Sequence, residues 1–392
     1  MYDRATRDLD TPLAIVDLDV FDANADQLVR RAAGRPIRLA SKSIRCRYLL
    51  DRTLAREGFS GVLCYSLAEA LWLLDQGVSD DLLVGYPSVD QSGLRRLATE
   101  ERARAAITLM IDSSEQLDLV EQAAGNDLGS DPAIRVCLEL DVSWRPAPGV
   151  HVGTRRSPVF TPEQAAELAR NVLARKGFRL VGLMGYEGQI AGVGDAGPNP
   201  ARALSVRLMQ WKSGEELRQR RSDAVRVIRE FADLEFVNGG GTGSIESTLA
   251  DDSVTELGAG SGLIGPTLFD SYSRFRPRPA VLFALSVVRK PSPELATLFA
   301  GGYVASGPAV PSRLPSPYLP QGLKLLGLEG AGEVQTPVQG VGAKHLRVGD
   351  RVWMRHAKAG ELAERFNAYH VVIGDRLERT VPTYRGEGIN FG

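Results

Sequence analysis

The chain is predicted to be an α/β protein, a (β/α)8 TIM barrel with a C-terminal β-rich domain. Three observations lead there: nine short apolar runs separated by amphipathic stretches between residues 12 and 265, a length of 392 residues, and a change of texture after about residue 275. Strands spaced by single helices imply right-handed βαβ units and a parallel sheet. A barrel of about 250 residues leaves room for a smaller second domain.

The runs are LAIVDLD (13–19), IRLAS (37–41), GVLCYS (61–66), DLLVGYP (81–87), ITLMID (107–112), IRVCLELD (134–141), RLVGLMGYE (179–187), LEFVNGG (234–240) and VTELGAG (254–260). Between them, SLAEALWLLDQG and TPEQAAELARNVLARKG carry helical spacing and open on Ser or Thr as N-caps. Nine is one more than the barrel holds. If the first run pairs elsewhere, the other eight close a barrel from about 37 to 257; the alternative is an open doubly wound sheet.

After residue 275 Pro and Gly become frequent and helical periodicity fades. AVLFALSVV, LKLLGLEG, RVWMR and YHVVIGD have the look of strands joined by turns, and HLRVGDRVWMRHAKAGEL that of two strands meeting at Gly349-Asp350. The expected division is therefore a barrel over 12–270 and a β-rich domain over 271–392, with residues 1–11 packed on the latter.

A formal net charge of -1, with no basic stripe, gives nucleic acid no electrostatic footing, so a small-molecule partner is expected. Cys46, Cys64 and Cys137 are odd in number and set in apolar runs, as reduced core thiols are, which points to the cytoplasm. No apolar run approaches the roughly 18 residues of a membrane span, and the N-terminus has no targeting pattern.

Barrel active sites lie at the C-terminal ends of the strands, and phosphate often binds at the loops after the seventh and eighth. Lys42 follows the first barrel strand in a chain where arginine outnumbers lysine about sixfold. Arg145 follows the fifth, Tyr186 and Glu187 the sixth, NGGGTGS (238–244) the seventh and GAGSG (258–262) the eighth. Glycines let backbone N–H groups crowd an anion, and a helix beginning at Ser244 would add its dipole. A lysine facing two phosphate loops suits pyridoxal phosphate, which binds lysine as a Schiff base and serves as an electron sink. A sugar aldolase using a Schiff-base lysine would draw on the same elements.

LDTPLAIVDLDVFDAN, the strand-end Lys42, SLAEALWLLDQGVSDDLLVGYP, GLMGYEGQ, NGGGTGS and TELGAGS, taken in order, resemble the alanine-racemase-like, fold type III pyridoxal-phosphate enzymes. Within them the likeness is to the D-threonine aldolase and D-serine dehydratase branch, from about residue 9 to about 373. The resemblance implies that Lys42 carries the cofactor, Tyr186 backs its ring and Arg145 approaches its phenolic side. It also implies that Gly241, Thr242, Gly260 and Ser261 hold the phosphate and that the protein is a homodimer.

Two positions depart from that pattern. Racemases of this fold set an arginine against the pyridine nitrogen where this chain has Gly258. The aldolases and dehydratases pair a His with an Asp or Cys two residues on to hold a divalent metal; here His356 is followed by Lys358, whose ammonium has no lone pair. No metal is therefore expected. Lys358 would supply the positive charge while His356 acts as base on the substrate's β-hydroxyl, or Lys358 simply pairs with Glu361 and His356 is a core histidine.

Arg155 and Arg156, near His151, would clasp a substrate carboxylate or form a solvated face. Trp144 would wall the pocket or pack, and His345 and His370 are expected to be structural. The expected reaction is retro-aldol cleavage of a small β-hydroxy-D-amino acid to glycine and an aldehyde. The rivals are dehydration to a keto acid and ammonia, amino-acid racemisation, and cofactor binding without catalysis.

Overall fold

The computed structural model describes residues 1–128 and 131–392 and divides into two compact units. One comprises residues 29–42, 50–260 and 391–392; the other comprises 1–28, 43–49 and 261–390. The first nine strands are β1 (Leu13–Asp17), β2 (Ile37–Ala40), β3 (Phe59–Cys64), β4 (Leu82–Val84), β5 (Ile107–Ile111), β6 (Ile134–Glu139), β7 (Phe178–Gly185), β8 (Phe236–Gly239) and β9 (Glu256–Ala259). Each coincides with one of the nine apolar runs, β3 and β7 starting two residues and one residue ahead of theirs.

β2 to β9 close a barrel of parallel strands, sealed by Ile37 opposite Leu257. Strands covered on both faces are apolar throughout, as in the fully buried β5, ITLMI. Leu83, Met110, Cys137, Val181, Met184 and Phe236 fill part of the interior. The helix Leu67–Asp75 begins where Ser66 Oγ accepts the Glu69 N–H, and Pro162–Leu173 begins on a reciprocal Thr161–Gln164 capping box. All three cysteines are buried free thiols, and burial pushes Cys64 and Cys137 well above the ordinary thiol range.

The second unit is a nine-stranded mixed sheet, in which β1 runs parallel to one C-terminal strand and antiparallel to another. Its other strands are β10 (Val281–Ser292), β11 (Leu295–Phe299), β12 (Ser316–Leu319), β13 (Lys324–Leu325), β14 (Gln335–Gln339), β15 (Arg351–Arg355), β16 (Ala368–Ile373) and β17 (Arg376–Pro382). Leu13, Ile15, Leu282, Ala284, Trp353 and Val372 form its core, and Trp353 Nε1 donates to Asp3 at 2.8 Å.

The division lies at 260/261 rather than near 270, and residues 12–28 belong with the C-terminal sheet because β1 forms its ladder there. The expected strand before Gly349 is absent: Val341–His345 is a 3-10 helix, and Gly349 turns the chain at φ +95° into β15. The LKLLGLEG run supplies only the two-residue β13, whereas β11, β12, β14 and β17 lie in segments not read as strands.

Candidate active site

Lys42 stands in a one-turn 3-10 helix, Ser41–Ser43, at the C-terminal end of β2. Ser41 Oγ anchors the turn by donating to Leu63 O at 3.1 Å. The Lys42 side chain is exposed at the barrel mouth and donates from Nζ to Tyr86 Oη at 2.9 Å. The Arg156 guanidinium carbon lies 5.5 Å from the Tyr86 ring centre and 5.7 Å from that of Tyr186. Lys42, Tyr86, Arg156 and Tyr186 are thus one connected group, drawn from the ends of β2, β4 and β7 and the loop after β6.

Tyr186 is held edge-on: a Cβ on Gly241 would stand 3.1 Å from its Cε2 and one on Gly188 would stand 3.2 Å from its Cε1. Burial pushes its hydroxyl up to about 12. Glu139, at the end of β6 and 8% exposed, makes no side-chain hydrogen bond or ion pair among the described residues. Burial raises its carboxyl to about 7, against the pull of Arg156 and with the added push of Asp112 and Asp141.

Arg145 is held by two neighbours in the loop after β6. Its Nη2 donates to Asp141 at 2.5 Å, and its guanidinium carbon lies 3.9 Å from the centre of the Phe160 ring. The place over the two tyrosines belongs to Arg156. Arg145, Arg155, Arg156 and His151 line a cavity of about 860 Å³ in the loop after β6, which folds back through the Trp144–Val152 bridge. His151 Nε2 faces Thr154 O at 2.8 Å.

The first glycine loop is braced from beneath. Gly240 N–H donates to Glu187 Oε2 at 3.0 Å, Thr248 Oγ1 donates to the other Glu187 oxygen, and Gly241 N–H donates to Ser244 Oγ at 3.0 Å. Gly240 has φ +83°, a conformation that disfavours any Cβ. Thr242 is buried and its carbonyl accepts from Arg31 at 2.8 Å. Gly258 and Gly260 are buried in the second loop, and the chain passes between units at Gly260–Ser261. Beneath both loops Arg38 forks onto Glu256 at 2.7 and 2.9 Å, and Asn238 Nδ2 donates to the same carboxylate at 2.8 Å.

In the second unit His356 is buried, with Nδ1 2.5 Å from Lys358 O and Nε2 3.0 Å from Tyr303 O. Burial pushes the imidazole down, towards the neutral form, which can donate to only one of the two carbonyls. Lys358 Nζ donates to Ser306 Oγ at 3.1 Å, and Glu361 accepts from Ser306 N–H. His370 Nδ1 bonds Thr380 Oγ1 across the β16–β17 pair.

Sequence reasoning missed Tyr86, Glu139 and Asn238. Tyr86 and Glu139 were visible as polar residues ending apolar runs, the same signal that singled out Lys42. Asn238 was read only as the start of a glycine loop.

Three marks suit these residues to pyridoxal phosphate: a strand-end lysine, two loops whose glycines leave no Cβ in the way and, among the described residues, a buried acceptor without a donor, Asn238 Oδ1. The alanine racemase N-terminal domain family model matches residues 16–224, more than half of the chain, and the chain belongs to that family. It is similar to a D-threonine aldolase of Arthrobacter sp, 27% identical over 308 residues that cover 75% of this chain and 72% of that protein. A 3-hydroxy-D-aspartate aldolase of Paracoccus denitrificans (strain Pd 1222) is 24% identical over 270 residues, 65% of this chain and 60% of its own length.

Of solved structures, D-threonine aldolase from Filomicrobium marinum superposes with a TM-score of 0.79 at 22% identity, over 97% of this chain and 96% of the other. D-threo-3-hydroxyaspartate dehydratase from Delftia sp. HT23 gives 0.73 at 19% identity, over 96% and 97%. At such identities the likeness establishes the fold.

Proposed function

We propose that the protein is a pyridoxal-phosphate-dependent lyase that cleaves a small β-hydroxy-D-amino acid to glycine and an aldehyde. The observation that carries this is Lys42 Nζ at the barrel mouth, hydrogen-bonded to Tyr86 beside Arg156 and Tyr186. The aldolase relatives supply the substrate class and the D-stereochemistry.

Lys42 would hold the cofactor covalently, the Gly241–Thr242 and Gly260–Ser261 loops its phosphate, and Tyr186 one side of its ring. When bound, the cofactor supplies an electron sink for the pair released as the Cα–Cβ bond breaks. The hydrogen bond from Lys42 Nζ to Tyr86 Oη would orient the amine at the barrel mouth, beside the Arg156 guanidinium. His356 and Lys358 are assigned to the β-hydroxyl. In neutral His356 one nitrogen lone pair must face a carbonyl oxygen, a repulsive contact that a hydroxyl proton would relieve by taking the carbonyl's place.

A divalent metal forms no part of the proposal, because Lys358 presents an ammonium where a second ligand would be needed. The proposed assembly is a homodimer in the cytoplasm. No helix among the described residues is long and apolar enough to cross a membrane.

The test is a visible absorption spectrum of purified protein, with Lys42→Ala alongside, followed by product analysis on β-hydroxy-D-amino acids. A visible band that borohydride removes, absent in Lys42→Ala, with glycine and aldehyde as products, is the expected result. Keto acid and ammonia would reassign the enzyme as a dehydratase. Wild-type protein that gains no band when supplied with pyridoxal phosphate would refute the cofactor. Activity lost to EDTA and restored by Mn²⁺ would refute the metal-free version.

A further inference from the structure

We propose that Asn238 Oδ1 is the acceptor that holds the proton on the cofactor's pyridine nitrogen, with Glu256 and Arg38 fixing the amide behind it. The proposal rests on the cofactor reading above and assigns a residue to the part of the ring opposite the lysine.

Asn238 is fully buried at the end of β8, yet among the described residues its Oδ1 has no donor within reach. A buried amide oxygen left unpaired loses its hydration with nothing in return, so such an atom calls for a partner from outside the chain. Its orientation is determined chemically. Nδ2 donates to Glu256 Oε1 at 2.8 Å, and a carboxylate clamped by both arms of the Arg38 fork presents only acceptors, so the amide cannot be turned over. Arg38 in turn reaches Asp81 at 2.7 Å, which leaves it with a carboxylate on either side.

The position suits the role. Asn238 opens the first glycine loop, and Gly258 opens the second; a Cβ on Gly258 would lie 3.3 Å from Asn238 Oδ1 and 3.4 Å from Leu63 Cδ2. Arg38, four residues before Lys42, is in register with Gly258 across β2 and β9. The orphan oxygen therefore lies between the two loops, on β8, which pairs with β9 as β9 pairs with the strand that ends at Lys42, and Gly258 contributes no side chain to cover it. In pyridoxal phosphate the carbon that bonds lysine and the ring nitrogen lie across the ring from each other. A ring tethered at Lys42 with its phosphate arm on the glycine loops turns its nitrogen away from the lysine, and only an N–H at that nitrogen satisfies an acceptor.

A carbonyl acceptor favours the protonated ring less strongly than a carboxylate would, whereas a cationic donor in that place would favour the bare nitrogen. The hydrogen bond from Asn238 to Glu256 polarises the amide and strengthens its oxygen as an acceptor.

The experiment loads the full chain with pyridoxal phosphate labelled with ¹⁵N in the ring and records the nitrogen resonance at neutral pH, with cofactor affinity measured in parallel. Wild type is expected at a protonated shift. Asn238→Leu is expected to move to an unprotonated shift and bind cofactor about tenfold or more weakly, the loss of one charge-assisted hydrogen bond. Asn238→Ser, whose hydroxyl is too short for both contacts, serves if the leucine variant does not fold, and the same changes are expected of it. An unprotonated nitrogen in wild type overturns the proposal. So does a foldable variant that keeps the wild-type shift and affinity, the behaviour expected if a buried water satisfies Asn238. Wild type that binds no cofactor would sink the functional reading itself, an outcome distinct from these.

Discussion

Replacing Glu139 by Gln should change stability in a way that depends on pH. The carboxyl lies at the end of β6, 8% exposed, with Arg156 as its nearby cation and Asp112 and Asp141 as nearby anions. Burial raises it from 4.5 to about 7, so the folded state binds its proton more tightly than the unfolded chain does. The stability this contributes is fully present below pH 4.5 and is lost as pH rises through about 7. At about 1.4 kcal/mol per unit, the loss across that window is on the order of 3 kcal/mol. Glutamine keeps the shape and does not titrate. The difference in urea midpoint between Glu139→Gln and wild type, measured at acid and at mildly alkaline pH, should therefore swing in the variant's favour as pH rises. A difference that stays constant across that range would show that the carboxyl is solvated or paired, and the argument from burial would fail.

Gly240→Ala should destabilise the barrel by about 1–2 kcal/mol or more, because φ is +83° and the new methyl would stand 2.9 Å from Thr248 Oγ1. The check is the melting temperature, together with cofactor affinity, which should fall with it. Asp251→Ala should cost about 3–5 kcal/mol, since it strips the 2.8 Å carboxylate partner from an Arg221 side chain only 1% exposed and leaves it Glu187 at 3.8 Å. Arg221→Met combined with Asp251→Leu should recover much of that loss in urea unfolding, and failure to recover would show that the pair's worth lies in more than charge neutralisation.

Strand order was legible in the sequence because parallel barrel strands are buried on both faces and therefore appear as continuous apolar runs. All nine runs became strands, and the surplus one, LAIVDLD, is β1 of the separate sheet. The β-rich unit was less legible. QTPVQ and RLERTVP are polar or proline-bearing, and their strand character comes from pairing with β11 and β16. Lys42 could be read as functional from its scarcity and its place at a strand end. Its contact with Tyr86 could not, because 44 residues separate the two and only barrel closure brings them together.

The sequence by itself determined the alternation of strands and helices, the barrel, the strand-end lysine and the two glycine loops, since each is written in local periodicity or in a residue type with a single physical use. Tertiary structure alone decided the partners: Arg156 over the tyrosines, both nitrogens of His356 against carbonyls and, among the described residues, Glu139 without an ion pair and Asn238 turned so that its oxygen has no donor. These depend on distances between residues remote in sequence, and burial, which sets the protonation and hydrogen bonding of each group, exists only once the chain has closed around it.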